Sequence, residues 1–176
     1  MATSISDKEL SVVLKLHYEW VQSKGVNGQQ ADLSSRILAG KKLSSFTFFA
    51  AKLEGTIFSN CLIVSCDFNH SKLAGAMFIG SDILFSQFNN VEAAYSNFGY
   101  AKIKGCQFCN ANLMNINYQK SVIENSDFTG SDVRNSLFPE AKLINVNLNK
   151  VTVGATDFAD TDLTTVANIE NMNHMS

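Results

Sequence analysis

Cysteine and histidine are the residues of this 176-residue chain whose chemistry could support metal binding or redox activity. Cys106-Gln107-Phe108-Cys109 has the C-x-x-C spacing of a zinc-binding or dithiol motif. The sequence contains no second C-x-x-C pair, and no histidine is placed with this one. We therefore interpret Cys106, like Cys61 and Cys66, as a small buried residue, and Cys109 as an outward-facing one. The sequence predicts no metal site and no cofactor.

His17 could in principle take part in acid–base chemistry. No serine or cysteine nucleophile is placed beside it by a recognisable motif, so we interpret it as a packed side chain. The sequence also lacks a Ser/His/Asp order, a paired-carboxylate motif, a P-loop and a G-x-G-x-x-G motif. We therefore predict no catalytic residues and a protein that is not an enzyme.

Composition and charge narrow the classes of partner. The chain has 14 Lys and Arg against 16 Asp and Glu, a net charge of -2, with 45% hydrophobic residues. No apolar run approaches the length of a membrane span, and near neutrality gives no electrostatic case for binding nucleic acid directly. The start, MATSISDKEL, shows no signal peptide, and four cysteines without an export signal indicate reduced thiols. We expect a cytoplasmic protein with no membrane partner.

A five-residue period dominates the sequence. Residues 31–165 divide into 27 pentapeptides without an insertion, and the third position is Leu, Phe, Ile or Val in 25 of them. Ala93 and Tyr118 are the exceptions, and the first position is mostly small. A period of five matches neither an α-helix nor an extended strand. The chain must therefore turn every five residues, with the same two positions always facing inward.

The pattern small–polar–Leu/Phe–x–x resembles that of the pentapeptide-repeat family. The close matches are Ala31-Asp32-Leu33, Ala111-Asn112-Leu113, Ser126-Asp127-Phe128 and Thr156-Asp157-Phe158. The resemblance implies an all-β solenoid, a right-handed quadrilateral β-helix in which four pentapeptides form one coil. About seven coils at ~4.8 Å per layer would give a rod roughly 30 Å long.

Aromatic residues at the third position recur every ten residues, which is half a coil. We predict that they stack in columns on two opposite faces, while Leu and Ile fill the other two, because a narrow core cannot hold four Phe in one layer. The aromatic series is Phe48, Phe58, Phe68, Phe78, Phe88, Phe98, Phe108, Tyr118, Phe128 and Phe138.

Both ends of such a rod need caps, because open coils expose unpaired strand edges. Residues 6–24 predict an amphipathic helix that begins with a Ser6/Glu9 capping box and stops at Gly25. The last residues predict only a short tail that frays, caps loosely or pairs with another copy. We therefore divide the chain into an N-terminal capping helix and turn (1–30), a β-helix (31–165) and a C-terminal tail (166–176).

The best-known activity of the pentapeptide-repeat family is protection of DNA gyrase and topoisomerase IV by mimicking duplex DNA. Such mimicry requires strongly negative faces, whereas residues 31–165 carry 12 acidic and 11 basic residues. The uninterrupted register also leaves no room for projecting loops. We predict a non-enzymatic bacterial protein that acts as a rigid protein-binding or structural module. The first alternative is a DNA mimic that binds gyrase or topoisomerase IV and confers antibiotic or toxin resistance. The second is a secreted effector or immunity protein.

Apolar residues occupy solvent-facing positions on two adjacent faces of the predicted rod. The candidate interaction patch consists of Ile57, Leu62, Val64, Met77, Ile79, Leu84 and Phe85. A contiguous apolar cluster typically marks a contact surface, although β-rich walls also tolerate Ile, Val and Phe. The patch predicts a protein partner or self-association. The protein would then be either a monomer that binds another protein or a homodimer about a two-fold axis.

Overall fold

A computed structural model describes residues 2–175, which form a parallel β-solenoid of about seven turns preceded by one α-helix. This confirms the predicted fold class. Within the described residues, no helix combines the length and the apolarity needed to cross a membrane.

Short parallel strands stack with a shift of 20 residues, so each coil contains four pentapeptides. The pairing Leu43↔Ile63 illustrates this register. One face forms a six-stranded sheet whose strands pair in chain order from Lys42–Ser44 to Lys142–Ile144, and isolated bridges of the same spacing link the other faces. The elements are β1 (Thr3–Ser4), α1 (Asp7–Gln22), β2 (Arg36–Ile37), β3 (Lys42–Ser44), β4 (Leu62–Val64), β5 (Asp82–Leu84), β6 (Lys102–Lys104), β7 (Val122–Glu124), β8 (Lys142–Ile144), β9 (Thr152–Val153), a 3₁₀ helix (Ile169–Asn171) and β10 (Asn173–His174).

The four faces are named by the third-position residues at their centres. Face A follows the column that begins at Leu33, face B the column from Leu38, face C the column from Leu43 and face D the column from Phe48. Face C carries the six-stranded sheet. At the corners between faces, the fifth residue of each repeat generally adopts the left-handed conformation, as at Asn60 with φ 57°. Asn and Gly dominate these corners because both tolerate that conformation.

The aromatic columns stack as predicted. Phe78 and Phe98 on face B lie 4.5 Å apart between ring centroids at an interplanar angle of 10°. Rings on opposite faces meet edge to face, as for Phe58 and Phe68 at 5.9 Å. Tyr118 continues the face B column, where its hydroxyl makes no hydrogen bond to any of the described residues and burial raises its pKa. Offset and edge-to-face aromatic pairs each add stability beyond the area they bury.

The N-terminal helix begins where the sequence predicts, but its cap is only half of a capping box. The Ser6 hydroxyl accepts a hydrogen bond from the Glu9 N–H at 3.2 Å. Within residues 2–175, the Glu9 carboxylate accepts no hydrogen bond from the Ser6 N–H. It forms an ion pair with Arg36 at 2.7 Å instead, which ties α1 to the first coil.

Both termini extend the solenoid in ways that the sequence pattern does not predict. Thr3–Ser4 pairs in parallel with Arg36–Ile37, and Ile5 is buried beneath the helix start. At the other end, Asn173–His174 pairs in parallel with Thr152–Val153. Residues 166–175 therefore run along the last coil.

Candidate protein-interaction surface

The C-x-x-C cysteines face opposite sides of the wall, as the register predicts. Cys106 is buried, and burial raises the pKa of its thiol to about 11. Cys109 lies half-buried on the outer side, where burial also raises its thiol pKa. All four cysteines are free thiols. Both shifts disfavour the thiolate form, which is the form that reacts and binds metals.

His17 fixes the helix to the solenoid. Its Nδ1 accepts a hydrogen bond from the Ala31 N–H at 3.0 Å, and its ring stacks on Trp20 at 5.7 Å. Burial lowers the pKa of His17, while the backbone of Phe49 acts in the opposite direction. The imidazole is fully buried, so its geometry supports a packing role rather than acid–base chemistry on a substrate.

The face C half of the candidate patch lies on adjacent strands of the main sheet. Val64 pairs directly with Leu84, and Leu62 lies opposite Asp82 in the same two strands. Phe85 projects from the corner beyond Leu84 and is 60% exposed. Its ring covers Gly105, since a Cβ built there would lie 2.7 Å from Phe85 Cδ1. The ring thus extends the apolar surface toward the next coil.

The face B half is a vertical column. Ile57 is bridged to Met77 in the next coil, and Met77 is 42% exposed. Ile79 follows Met77 on the same side and is half-buried. The structure therefore places the seven predicted residues in neighbouring coils on two adjacent faces. Five of them are half-buried and two, Met77 and Phe85, are exposed.

The sequence analysis did not identify two exposed tyrosines as candidate surface residues. Tyr95 and Tyr100 are 71% and 57% exposed and occupy corners with φ 63° and 61°. Tyr100 lies at the corner between faces B and C, beside the patch, whereas Tyr95 lies at the corner between faces A and B. Their signal in the sequence is a bulky aromatic at the fifth position, where the left-handed conformation costs a non-glycine residue roughly 1–2 kcal/mol.

Charged side chains border the patch in pairs of opposite sign. Lys102 lies 3.9 Å from Asp82, and Lys104 lies 3.1 Å from Glu124. Farther along the rod, Lys120 lies 3.4 Å from Glu140. Exposed pairs of this kind contribute little stability. They do cancel the negative potential that the acidic residues would otherwise create on these faces.

Comparison with known families agrees with this architecture. Pentapeptide repeats, in eight copies, match residues 124–164. The chain is a pentapeptide-repeat protein. The matched segment lies in the second half of the solenoid, and the same register extends toward the N-terminus as far as Ala31. No curated protein is significantly similar to it in sequence.

Several solved pentapeptide-repeat structures are similar to this pentapeptide-repeat protein at low identity. One, from the Arabidopsis thaliana thylakoid lumen, is 22% identical, with 64% of this chain and 68% of that chain covered and a TM-score of 0.42. QnrB1, a plasmid-mediated fluoroquinolone resistance protein, is 14% identical, with coverage of 84% and 76% and a TM-score of 0.44. HetL of the cyanobacterium Nostoc, involved in heterocyst differentiation regulation, is 13% identical, with coverage of 83% and 86% and a TM-score of 0.32. None of these similarities indicates what this chain binds.

Proposed function

We propose that this pentapeptide-repeat protein is a rigid, non-enzymatic module that binds a protein through the patch on faces B and C. The observation that carries this proposal is Phe85, an exposed aromatic held beside Leu84 and in the same coil as Met77. Aromatic anchors on a rigid surface are typical of binding hot spots, because little conformational freedom is lost on contact.

The conformation of Phe85 argues against a purely structural reason for the patch. Its φ of 50° is left-handed, a conformation that disfavours bulky side chains. The equivalent corner residues in the other coils are small or amide-bearing, namely Ser45, Ser65, Gly105, Asn125, Asn145 and Thr165. A largely exposed phenyl ring gains little from folding at such a corner. Contact with a partner would supply the apolar burial that folding does not.

A second copy of the chain is the simplest partner. A two-fold axis would place the patch against itself, with each Phe85 free to cover the apolar column of the other protomer. A different protein could use the same surface, and the experiment below distinguishes the two cases. Binding of gyrase or topoisomerase IV by DNA mimicry is not favoured, because Lys102 and Lys104 neutralise nearby acids on face C.

Sedimentation velocity over a concentration series tests the proposal, comparing wild type with a Leu84→Lys/Phe85→Ser variant. Tyr95→Ser is the matched control, since it removes another exposed aromatic from a left-handed corner outside the patch. Circular dichroism confirms that all three proteins fold. We expect wild type and Tyr95→Ser to self-associate, or to capture the same protein from a lysate of the source cells, while the double variant does neither. A wild type that stays monomeric, and whose captured proteins the double variant also retains, would contradict the proposal.

A further inference from the structure

On face C, the first coil has an uncovered strand edge among the residues that the structure describes. β1 pairs with β2 on face B, and His17 of α1 accepts a hydrogen bond from the Ala31 N–H at the start of face A. On face C, β3 is the terminal strand of the six-stranded sheet, with β4 as its neighbour on one side only. Its other side faces α1 across a groove.

The hydrogen-bond pattern shows which backbone groups of β3 point away from β4. The Leu62 N–H donates to the Lys41 carbonyl at 3.0 Å, and the Ser45 N–H donates to the Val64 carbonyl at 2.9 Å. Because successive residues of a strand point their backbone groups to opposite sides, Lys42 and Ser44 direct theirs away from β4. In residues 2–175 the N–H and C=O groups of Lys42 and Ser44 make no hydrogen bond. Such an edge is a template for another strand.

The groove has the size and lining of a site for an extended chain. Its volume is about 850 Å³, within the range of specific ligand sites. Leu10, Leu14 and Leu43 form a buried apolar floor, while Phe46 and Tyr18 stand partly exposed along it. The helix therefore lies beside the edge of β3 without closing it.

The rim of the groove is basic. Lys15, Lys41 and Lys42 line it, and Asp7 is the only acidic residue among its lining. Asp7 forms an ion pair with Lys41. In the part of the chain that the structure describes, Lys15 and Lys42 form no ion pair. Two free cations beside an open strand edge complement an acidic segment.

We propose that this groove binds an extended acidic peptide segment of another protein, which pairs with β3 as an added strand. Its backbone would bond to the free N–H and C=O groups of Lys42 and Ser44. Alternate side chains would enter the apolar floor, and the acidic side chains between them would meet Lys15 and Lys42. This site is separate from the patch on faces B and C, so either can fail without the other.

The test selects binders from a library of random peptides, each about nine residues long. The enrichment of peptides on wild type is compared with their enrichment on Ser44→Pro. Proline removes the outward N–H of Ser44, which bonds to no group in the described part of the chain, and edge strands tolerate proline. Ser44→Ala is the matched control, because it keeps that N–H. Circular dichroism and thermal midpoints check that each variant folds. Binding of the enriched peptide is then measured by fluorescence anisotropy.

We expect enriched peptides that alternate apolar and acidic residues. Their affinity should fall about tenfold for Ser44→Pro and for Lys15→Glu/Lys42→Glu, and stay within about twofold for Ser44→Ala. If Ser44→Pro does not fold, N-methylation of alternate peptide residues should cause the same loss on wild type. No enrichment over Ser44→Pro, enrichment without acidic residues, or binding unaffected by N-methylation would overturn the proposal. Self-association of wild type that Ser44→Pro abolishes would assign the groove to a second copy and also overturn it.

Discussion

The two ends of the solenoid are closed by different means, although the same repeat runs into both. At the N-terminal end, Leu33, Leu38 and Leu43 are fully buried beneath α1. At the C-terminal end, Phe158 and Leu163 occupy the equivalent third positions and are only partly buried. Burial at the end of a solenoid is therefore set by the cap and not by the repeat alone.

The C-terminal closure relies mainly on backbone pairing. The Asn173 N–H donates to the Val151 carbonyl at 2.8 Å, and Asn173 pairs with Thr152 in register. Val166 and Met172 are partly buried against the core. α1, by contrast, lays the buried side chains of Leu10, Leu14 and His17 over the first coil. The N-terminal cap thus buries the end of the solenoid more completely than the C-terminal one.

Removal of the caps should have the largest effect on stability and association. It tests directly whether the two ends are closed by different means. Deletion of residues 1–25 exposes the apolar end of the first coil, so we expect aggregation or end-to-end association. Deletion of residues 168–176 should leave a folded protein with a lower thermal midpoint. Size-exclusion chromatography with light scattering separates these outcomes. Equal monomeric behaviour of the two deletions would show that α1 is an appendage.

Truncation of core aromatics should give the next largest effect and compares the middle with the C-terminal end. Phe88→Ala opens a cavity in a fully buried column and should cost ~3–5 kcal/mol of unfolding free energy. Phe158→Ala removes a half-buried ring and should cost roughly half as much or less. Urea unfolding measures both. Similar costs at the two positions would mean that the C-terminal core is as well sealed as the middle.

Lowering the pH should weaken the N-terminal cap through His17. Its pKa is below the ordinary 6.5 in the folded protein, so the unfolded chain binds more protons and stability is lost as the pH falls below 6.5. The loss should approach ~1.4 kcal/mol per pH unit until His17 itself is protonated. Hydrogen bonds from Ser34 lower the pKa of Asp32 below 3.8, so the titration of this carboxyl does not contribute between pH 5 and pH 6.5.

His17→Gln is the control for this titration, since its amide oxygen could still accept the Ala31 N–H. Urea unfolding at pH 5 and pH 7 should give a smaller difference for His17→Gln than for wild type. The same pH dependence in both proteins would show that protonation of His17 does not cause the loss of stability at low pH.

A surface pair far from both ends should give the smallest effect. Lys102 is well exposed and lies 3.9 Å from Asp82. Lys102→Ala should therefore change the free energy of unfolding by less than ~0.5 kcal/mol. A cost comparable with that of Phe88→Ala in urea would show that the assigned register, with Lys102 outside and Phe88 inside, is wrong.

The solenoid could be predicted from the sequence because its period fixes which residues face inward without any long-range information. Ile83 and Phe88 are buried because they occupy third positions, and the third-position residues of the other central coils are buried for the same reason. The strand pairings at the termini could not be predicted, since two-residue strands such as Thr3–Ser4 carry no pattern. The pairing of Glu9 with Arg36 was missed for a related reason, because it joins residues 27 positions apart that only the coil geometry brings together.

The candidate surface could be predicted only in part. The register placed Leu84 and Phe85 outside, and the structure agrees. Tyr100 was missed because the candidate patch was built from Ile, Leu, Val, Met and Phe residues, and tyrosines at the corner positions were not counted with them. The open edge of β3 has no signature in the sequence, because it depends on where α1 packs against the first coil.

Site-specific photocrosslinking tests the central functional claim most directly. p-Benzoylphenylalanine would replace Phe85 in the patch and, in a matched protein, Tyr95 at a corner outside it. After irradiation in a lysate of the source cells, we predict that position 85 forms a discrete crosslink, to a second copy or to one partner protein, and that position 95 does not. Discrete crosslinks of equal yield from both positions, or none from position 85, would contradict the assignment of this patch as the binding surface.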